Sequence, residues 1–260
     1  MICLTEATCL PGWWGALVGG AIGLAAGSFL GAMLSRWPRG ERVRSGRSHC
    51  DGCATQLVWF EVIPLASFAA LGGRCRKCRV AIDPALPTLE LACAIAGACL
   101  VAAGRPGAAL LAWLLLALAL FDARHLWLPD RLVAALAATA LVIAPWQDGV
   151  DLPLRLAGGA VGFTSLWMVA HGFHRITGRE GMGGGDPKLF GALALWFGPF
   201  ALAPLLVVAC LVGIADATIR NWQTGRARDR HLPLGTYLAV TALAFAIVGP
   251  DRLPVPGWTG

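Results

Sequence analysis

Long apolar runs alternate with short polar segments along the chain, and this pattern predicts helices that span a membrane. A helix needs about 20 apolar residues to cross a bilayer. Eight runs approach that length, at about residues 13–35, 86–103, 106–122, 131–146, 155–172, 188–198, 200–219 and 232–249. The pattern therefore predicts an all-α polytopic membrane protein with about eight transmembrane helices.

Two of these runs contain further structural information. The first has a glycine at every fourth position from Gly15 to Gly31, which indicates a face where another helix approaches closely. Residues 188–219 are too many for one untilted helix, and Gly198 and Pro199 interrupt them. We expect either two spans here or one span with a re-entrant segment.

A polar segment at residues 36–88 separates the first two runs and is long enough to form a separate module. It contains Cys50, Cys53, Cys75 and Cys78, which form two CxxC pairs separated by 21 residues. Four thiolates in this arrangement suit a tetrahedral structural zinc ion. Redox-active or unligated cysteines are the alternative. A closed four-cysteine site would stabilise the fold and take no part in catalysis.

Basic residues are concentrated in alternate polar segments, and this distribution predicts the topology. Nine of the 21 fall in the first polar segment: Arg36, Arg39, Arg42, Arg44, Arg47, Arg74, Arg76, Lys77 and Arg79. Further clusters contain Arg124 and Arg131, then Arg175, Arg179 and Lys188, then Arg220, Arg226, Arg228 and Arg230. By the positive-inside rule these segments are cytoplasmic. Eight spans then place both termini outside.

Composition supports a membrane protein and argues against a nucleic-acid-binding one. Hydrophobic residues make up 57% of the chain and charged residues 14%, and the mean hydropathy is +0.66. The net charge of +6 is explained by the topology-setting clusters, so we expect no nucleic-acid partner. The N-terminus lacks the features of a cleaved signal peptide, so we expect the first apolar run to be retained as a helix.

Two aspartates stand where apolar runs meet the predicted cytoplasmic side. Asp122 closes the third run, and Asp186 precedes the sixth, directly after Gly183, Gly184 and Gly185. Two adjacent carboxylates share a proton, so that one acts as base on a water and the other as acid toward a carbonyl. The pair therefore predicts aspartyl proteolysis. We expect the glycines to adopt conformations closed to other residues and to admit substrate backbone.

Helix direction suggests different roles for the two aspartates. Asp186 precedes a helix, whose N-terminal partial positive charge favours a carboxylate, whereas Asp122 ends one. This predicts that Asp186 is the ionised base and that Asp122 is the protonated acid in the resting enzyme.

Three other acidic residues lie near the ends of predicted helices. Asp130 is expected to cap the fourth predicted helix. Glu90 is either a carboxylate that favours the start of the second helix or part of a second site. Asp216 lies near the predicted cytoplasmic end of the seventh run, where its carboxylate is expected to contact water or Arg220.

These motifs resemble the type IV prepilin peptidase family, bacterial membrane aspartyl proteases with a GxGD motif. Asp186 lies in GGGD at residues 183–186, followed by Lys188, and Asp122 begins the family's DxxxxxxPD segment. The likeness extends to GSFL at 27–30, the CxxC pairs, WFEVIP at 59–64, GRCRKC at 73–78 and HLPLG at 231–235. The chain departs from the family pattern at Gly31 and Val62, where the family often has Asn, and at residues 85–87, where ALP replaces Arg-Tyr-Pro.

The resemblance implies a two-step maturation enzyme in the bacterial inner membrane. It would cut the short basic leader of type IV prepilins or type II secretion pseudopilins after a glycine, at the cytoplasmic face. It would then methylate the new N-terminal amine with S-adenosylmethionine. The implied organisation is a first transmembrane helix at 1–35, a zinc module linked to methyl transfer at 36–88, and a transmembrane aspartyl peptidase domain at 89–260.

Other functions compete with this interpretation. A proton-coupled transporter could use Asp122, Asp186 and Asp216 as a relay, although it does not explain a four-cysteine module. A presenilin-like protease would share the GxGD chemistry and lack the cysteines. A GxGD protease without methyltransferase activity and a non-catalytic assembly protein complete the alternatives.

Overall fold

The computed structural model describes residues 2–5, 8–10, 12–41, 48–145, 150–224 and 232–249. The chain divides into two compact units, Met1–Trp113 and Leu114–Gly260. Several predicted topology-setting residues lie outside the described ranges: Arg42, Arg44, Arg47, Arg226, Arg228 and Arg230.

The first unit combines a short hairpin, two long helices and the cysteine module. Its elements are β1 (Ile2–Thr5), β2 (Thr8–Leu10), α1 (Gly12–Arg36), α2 (Ala66–Ala70) and α3 (Ala85–Ala102). The two strands are antiparallel, and the hydrophobic pattern did not predict them. The next helix, α4 (Pro106–His125), contains the boundary between the units.

Helices α1 and α3 pack through the predicted glycine face. A Cβ atom at Gly19 would collide with the carbonyl oxygen of Gly97, and one at Gly23 would collide with that of Cys93. At Gly27 a Cβ atom would lie 2.7 Å from the Cα atom of Glu90. The four-residue glycine spacing therefore permits the close approach of the two helices, as the sequence predicted.

The second unit is built around one buried helix. Its remaining helices are α5 (Asp130–Ile143), α6 (Leu152–Thr177), α7 (Asp186–Phe197), α8 (Leu202–Thr224) and α9 (Leu234–Val248). Helix α7 packs against α5, α6, α8 and α9, and nearly all of its residues are buried. A helix buried on every side needs apolar residues all around its circumference, which explains its uniform composition.

A break separates α7 from α8, as the glycine and proline predicted. Gly198 has a φ of 78°, a backbone conformation that glycine adopts without strain. Pro199 then begins a short 3-10 helix that leads into α8. Helix α7 has 12 residues, so its length is about 18 Å.

The eight predicted apolar runs each correspond to one helix, but they differ in length. Five helical segments in the described part of the chain are long and apolar enough to cross a membrane: Gly12–Arg39, Ala85–Ala102, Pro106–His125, Leu152–Thr177 and Pro199–Gln223. Helix α9 is apolar and shorter. The number of helices that cross the membrane therefore stays a prediction.

Arg155, in the first turn of α6, hydrogen-bonds to the C-terminal ends of α5 and α7 in the second unit. Its guanidinium is fully buried and donates hydrogen bonds to the carbonyl oxygens of Ala144 at 3.0 Å and of Leu195 and Trp196 at 2.9 Å each. These carbonyls belong to the ends of α5 and α7, where helices present unpaired acceptors and partial negative charge. The buried charge is thereby compensated.

Replacing Arg155 with leucine is expected to destabilise the second unit strongly. The change leaves several buried carbonyl oxygens without their donor, and each such loss costs about 1–3 kcal/mol. Thermal unfolding of the detergent-solubilised protein measures the effect, and Arg179→Leu, at an exposed arginine, is the matched control. Equal melting temperatures for both variants would contradict this role of Arg155.

Candidate functional site

Asp122 lies in the last turn of α4 with only 5% of its surface exposed. Its Oδ2 atom accepts two hydrogen bonds from Thr236, one from the backbone N–H at 2.6 Å and one from the hydroxyl at 3.0 Å. Thr236 is in the first turn of α9. The carboxylate therefore lies at the N-terminus of a helix that is 114 positions away in sequence.

Asp186 is the first residue of α7 and is also 5% exposed. Its backbone N–H donates to the carbonyl oxygen of Gly183 at 3.2 Å, which closes the turn before the helix. Pro187 follows in the first turn, where its missing N–H costs no helical hydrogen bond. The local sequence thus places a carboxylate directly at the start of the buried helix.

The two carboxylates converge on Gly235, the residue before Thr236. A Cβ atom built on Gly235 would lie 3.0 Å from Oδ2 of Asp122 and 3.0 Å from Oδ1 of Asp186. It would also lie 2.8 Å from Cδ1 of Leu128. The two predicted aspartates are therefore close to one another in the second unit, with a glycine filling the position where a side chain would obstruct both.

The three glycines before Asp186 differ from expectation. None of Gly183, Gly184 and Gly185 has a positive φ, so the predicted special backbone conformations are absent and that prediction was wrong. A glycine is nevertheless needed at position 185, because a Cβ atom there would lie 2.7 Å from Cβ of Leu128. A Cβ atom on Gly184 would meet nothing within 4 Å.

An ion pair links the two aspartate-bearing motifs. The Nζ atom of Lys188 lies 2.7 Å from Oδ1 of Asp130. Asp130 is the first residue of α5 and the N-cap position is occupied by Pro129, so the predicted capping role was wrong. Because both side chains are substantially exposed, the pair contributes little to stability.

The structure also changes the argument about which aspartate is ionised. Asp186 begins α7 as expected, but Asp122 receives a backbone N–H from the N-terminal turn of α9. Helix N-termini favour negative charge, so the helix-direction argument no longer separates the two residues. The sequence did not reveal Thr236 as a partner, since its contact with Asp122 arises only from tertiary packing.

Asp216 and Glu90 have partners beyond those the sequence suggested. Asp216 accepts from Nε of Arg220 at 2.8 Å, as expected, and also from the hydroxyl of Tyr237 at 2.6 Å. Glu90 lies in the second turn of α3, where its Oε2 atom accepts the backbone N–H of Leu65 at 2.8 Å. Glu90 therefore holds the segment before α2 and does not serve the start of its own helix.

In the first unit, the four predicted cysteines form one cluster that can hold a metal ion. Their Sγ atoms all lie within 4.8 Å of one another, and those of Cys50 and Cys78 are 3.7 Å apart. A tetrahedral zinc site with Zn–S bonds of about 2.3 Å has sulfur atoms about 3.8 Å apart. The donor set and its spacing therefore fit zinc.

The two CxxC pairs adopt matching turns. In the first, the N–H of Cys50 donates to Thr55, and in the second, the N–H of Cys75 donates to Val80, both at 2.9 Å. The residue after each pair has a left-handed backbone, at Ala54 with a φ of 54° and at Arg79 with a φ of 60°.

Hydrogen bonding favours the thiolate form of Cys53 and Cys75, whereas burial and the neighbouring cysteines raise the pKa of Cys78 to about 11. Sγ of Cys53 lies 3.3 Å from Oγ1 of Thr55, and this hydroxyl lowers the pKa of Cys53 to about 6. Backbone hydrogen bonds at Cys78 and Lys77 lower the pKa of Cys75. Thiolates are the form that binds metals.

A cavity of about 530 Å³ lies beside the cysteine cluster in the first unit. Its wall comes from the second half of α1, the start of α3 and the segments around both CxxC pairs. Four carboxylates and two arginines line it: Asp51, Glu61, Asp83, Glu90, Arg36 and Arg76. The wall is thus more acidic than the arginine-rich segment from which much of it is built.

The fold and site define a class, that of a helical membrane protein with paired buried aspartates and a four-cysteine cluster. Residues 21–103 match the bacterial peptidase A24 N-terminal domain, and residues 109–217 match the type IV leader peptidase family. No solved structure matches the chain.

Similar proteins share this assignment over most of the sequence. A Pseudomonas aeruginosa protein named prepilin leader peptidase/N-methyltransferase is 33% identical over 84% of this chain and 85% of its own length. Proteins of the same name from Burkholderia pseudomallei and Pseudomonas putida are 36% and 35% identical over 78% of this chain, covering 67% and 73% of their own lengths. The chain belongs to the type IV leader peptidase family, as the sequence motifs predicted.

Proposed function

We propose that this protein cleaves the leader peptide of type IV prepilins or pseudopilins with Asp122 and Asp186 and then methylates the new N-terminus. The observation that carries the proposal is the convergence of two buried carboxylates on Gly235. The names of the relatives support both activities.

One carboxylate would act as a general base on the attacking water and the other as a general acid on the scissile carbonyl oxygen. One takes a proton as the water oxygen attacks the scissile carbonyl carbon, and the other gives its proton to the carbonyl oxygen. When the resulting diol collapses, the C–N bond breaks, the leaving amine takes up the proton held by the base, and one diol hydroxyl returns a proton to the other carboxylate. Because both groups are buried, sharing one proton avoids two adjacent buried charges.

We place the pair of Asp122 and Asp186, called the dyad below, at the cytoplasmic face of the bacterial inner membrane. The described arginines beside the dyad's elements, Arg124, Arg131, Arg175 and Arg179, support this orientation by the positive-inside rule. A short basic leader would remain on that side while the apolar helix of the pilin lies in the bilayer. Eight spans remain the topology that agrees with the charge distribution.

We propose that the cysteine cluster holds one structural zinc ion. The protein should contain about one zinc per chain, and Cys53→Ser with Cys78→Ser should abolish it and lower the melting temperature, since metal binding contributes folding free energy. Elemental analysis and thermal unfolding measure both effects. Cys210→Ser, at an exposed cysteine of α8, is the control and should retain zinc. Full zinc content in the double variant would contradict the assignment.

We assign the methyl donor to the cavity beside the cysteine cluster. S-adenosylmethionine supplies an electrophilic methyl group on a sulfonium cation. The carboxylates of Glu61, Asp83 and Glu90 suit its positive charges, and Arg36 suits its carboxylate. A volume of about 530 Å³ is within the range of small-molecule sites.

The cavity also contains positions at which this chain departs from the family pattern. Gly31, Val62 and Leu86 all line it. Binding of S-adenosylmethionine, measured by calorimetry, should be lost in Ala32→Phe, which fills the cavity. It should persist in Asp186→Asn. Unchanged binding in Ala32→Phe would place the donor elsewhere.

The proposal is tested with purified prepilin and the detergent-solubilised protein. Mass spectrometry should show a product cut after the leader glycine and, with S-adenosylmethionine present, a product heavier by one methyl group. Cleavage without the added methyl would support a leader peptidase alone. A membrane substrate lacking the basic leader should remain intact, and its cleavage would favour a general intramembrane protease. Failure to cut the prepilin would overturn the peptidase assignment and leave the proton-coupled transporter to be tested.

A further inference from the structure

The first turn of α9 contacts the dyad through Thr236. The backbone N–H of Thr236 lies 2.6 Å from Oδ2 of Asp122, and its hydroxyl oxygen lies 3.0 Å from the same atom. The hydroxyl has a second acceptor, the carbonyl oxygen of Ala119 at 3.2 Å. Both functional groups of one residue therefore meet one carboxylate oxygen.

These contacts distinguish the two oxygens of Asp122. A backbone N–H can only donate, so the lone pair of Oδ2 directed at Thr236 must remain unprotonated. The hydroxyl occupies the other lone pair when it donates to the carboxylate. Oδ2 is then saturated, and Oδ1 is the oxygen that remains available to exchange a proton.

We propose that Thr236 is a positioning residue that fixes Asp122 through Oδ2 and directs proton exchange to Oδ1. The inference rests on the proposed function, because it concerns the same dyad. Thr236 acts through Asp122.

The neighbour of Thr236 anchors this turn to another helix. The hydroxyl of Tyr237 donates to Oδ2 of Asp216 in α8 at 2.6 Å, and Nε of Arg220 donates to Oδ1 of Asp216 at 2.8 Å. Successive residues of a helix point about 100° apart, so the two contacts hold the turn on different faces. The start of α9 therefore has a defined position relative to Asp122.

The same helix offers a matched control at Thr241. This residue is buried, and its hydroxyl has no hydrogen-bond partner among the described residues. Thr236→Val and Thr241→Val make the same chemical change on one helix, but only the first removes a hydrogen bond to the dyad.

The test compares kcat and KM for prepilin cleavage. Thr236→Val should lower kcat by about 10–100-fold, the effect of losing a hydrogen bond to a charged group, while KM stays within about twofold of the wild type. Thr236→Ser should restore most of the rate, and Thr241→Val should match the wild type. A wild-type kcat in Thr236→Val, or a loss that Thr236→Ser does not rescue, would overturn the proposal.

A second measurement does not depend on cleavage. In a double-mutant cycle on thermal unfolding, Thr236→Val and Asp122→Ala should have non-additive effects, because they remove the same contact. Additive effects would show that the hydroxyl does not engage Asp122, and would overturn the inference whatever reaction the protein catalyses. Absence of cleavage by the wild type, with non-additive unfolding, would instead refute the proposed function alone.

Discussion

Replacing either Asp122 or Asp186 with asparagine is expected to reduce kcat for prepilin cleavage by about 1,000-fold or more. Asparagine keeps the shape of the side chain but can neither take up nor deliver the catalytic proton, and general acid–base catalysis contributes about 10²–10⁴-fold for each group. Steady-state cleavage assays measure the loss, and the zinc content and melting temperature show whether each variant remains folded.

Asp151→Asn is the matched control for this prediction. Asp151 precedes α6, is exposed, and makes no side-chain capping hydrogen bond. Its variant should cleave at the wild-type rate. Normal cleavage by Asp122→Asn or by Asp186→Asn would exclude the aspartyl dyad.

Replacing Gly235 with alanine should reduce cleavage by about 100-fold or more. The added Cβ atom would lie 3.0 Å from Oδ2 of Asp122, 3.0 Å from Oδ1 of Asp186 and 2.8 Å from Cδ1 of Leu128. A displacement of about 1 Å in a catalytic group is enough for a loss of about 100-fold. The assay is again kcat/KM for prepilin, with Gly184→Ala as control because its Cβ atom would meet nothing within 4 Å.

A second variant identifies the cause of the expected loss. Leu128→Ala combined with Gly235→Ala removes the contact with the leucine and leaves those with the carboxylates. We expect the double variant to remain impaired. Full recovery would mean that the clash with Leu128 alone was responsible and that Gly235 does not shape the dyad.

The sequence alone predicted the features that depend on local pattern. The apolar runs predicted eight helices, Gly198 and Pro199 predicted the break after α7, and the two CxxC pairs predicted the cysteine cluster. In each case a few neighbouring residues determine the outcome through hydrophobicity, backbone freedom or ligand spacing. The glycine face of α1 was likewise predictable because its spacing matches the helical repeat.

The features that the sequence did not reveal depend on contacts between distant segments. Thr236 and Gly235 reach Asp122 only because α9 packs beside the end of α4, and no local pattern indicates that pairing. Arg155 begins the fifth apolar run, and nothing in the sequence indicates that its guanidinium is buried among carbonyl oxygens. Lys188 and Asp130 likewise pair across 58 positions of sequence.

Helix α7 is held at both ends and covered along its length. Its first residue is Asp186, which lies close to Asp122. Near its last turn, Arg155 binds the carbonyl oxygens of Leu195 and Trp196. Most of its residues are buried. Local opening is least favourable where burial and hydrogen bonding are most complete. Its amides should therefore exchange hydrogen more slowly than those of the surrounding helices. We therefore expect α7 to be the most rigid element of the second unit, which fixes the position of Asp186 while the surrounding helices open more readily.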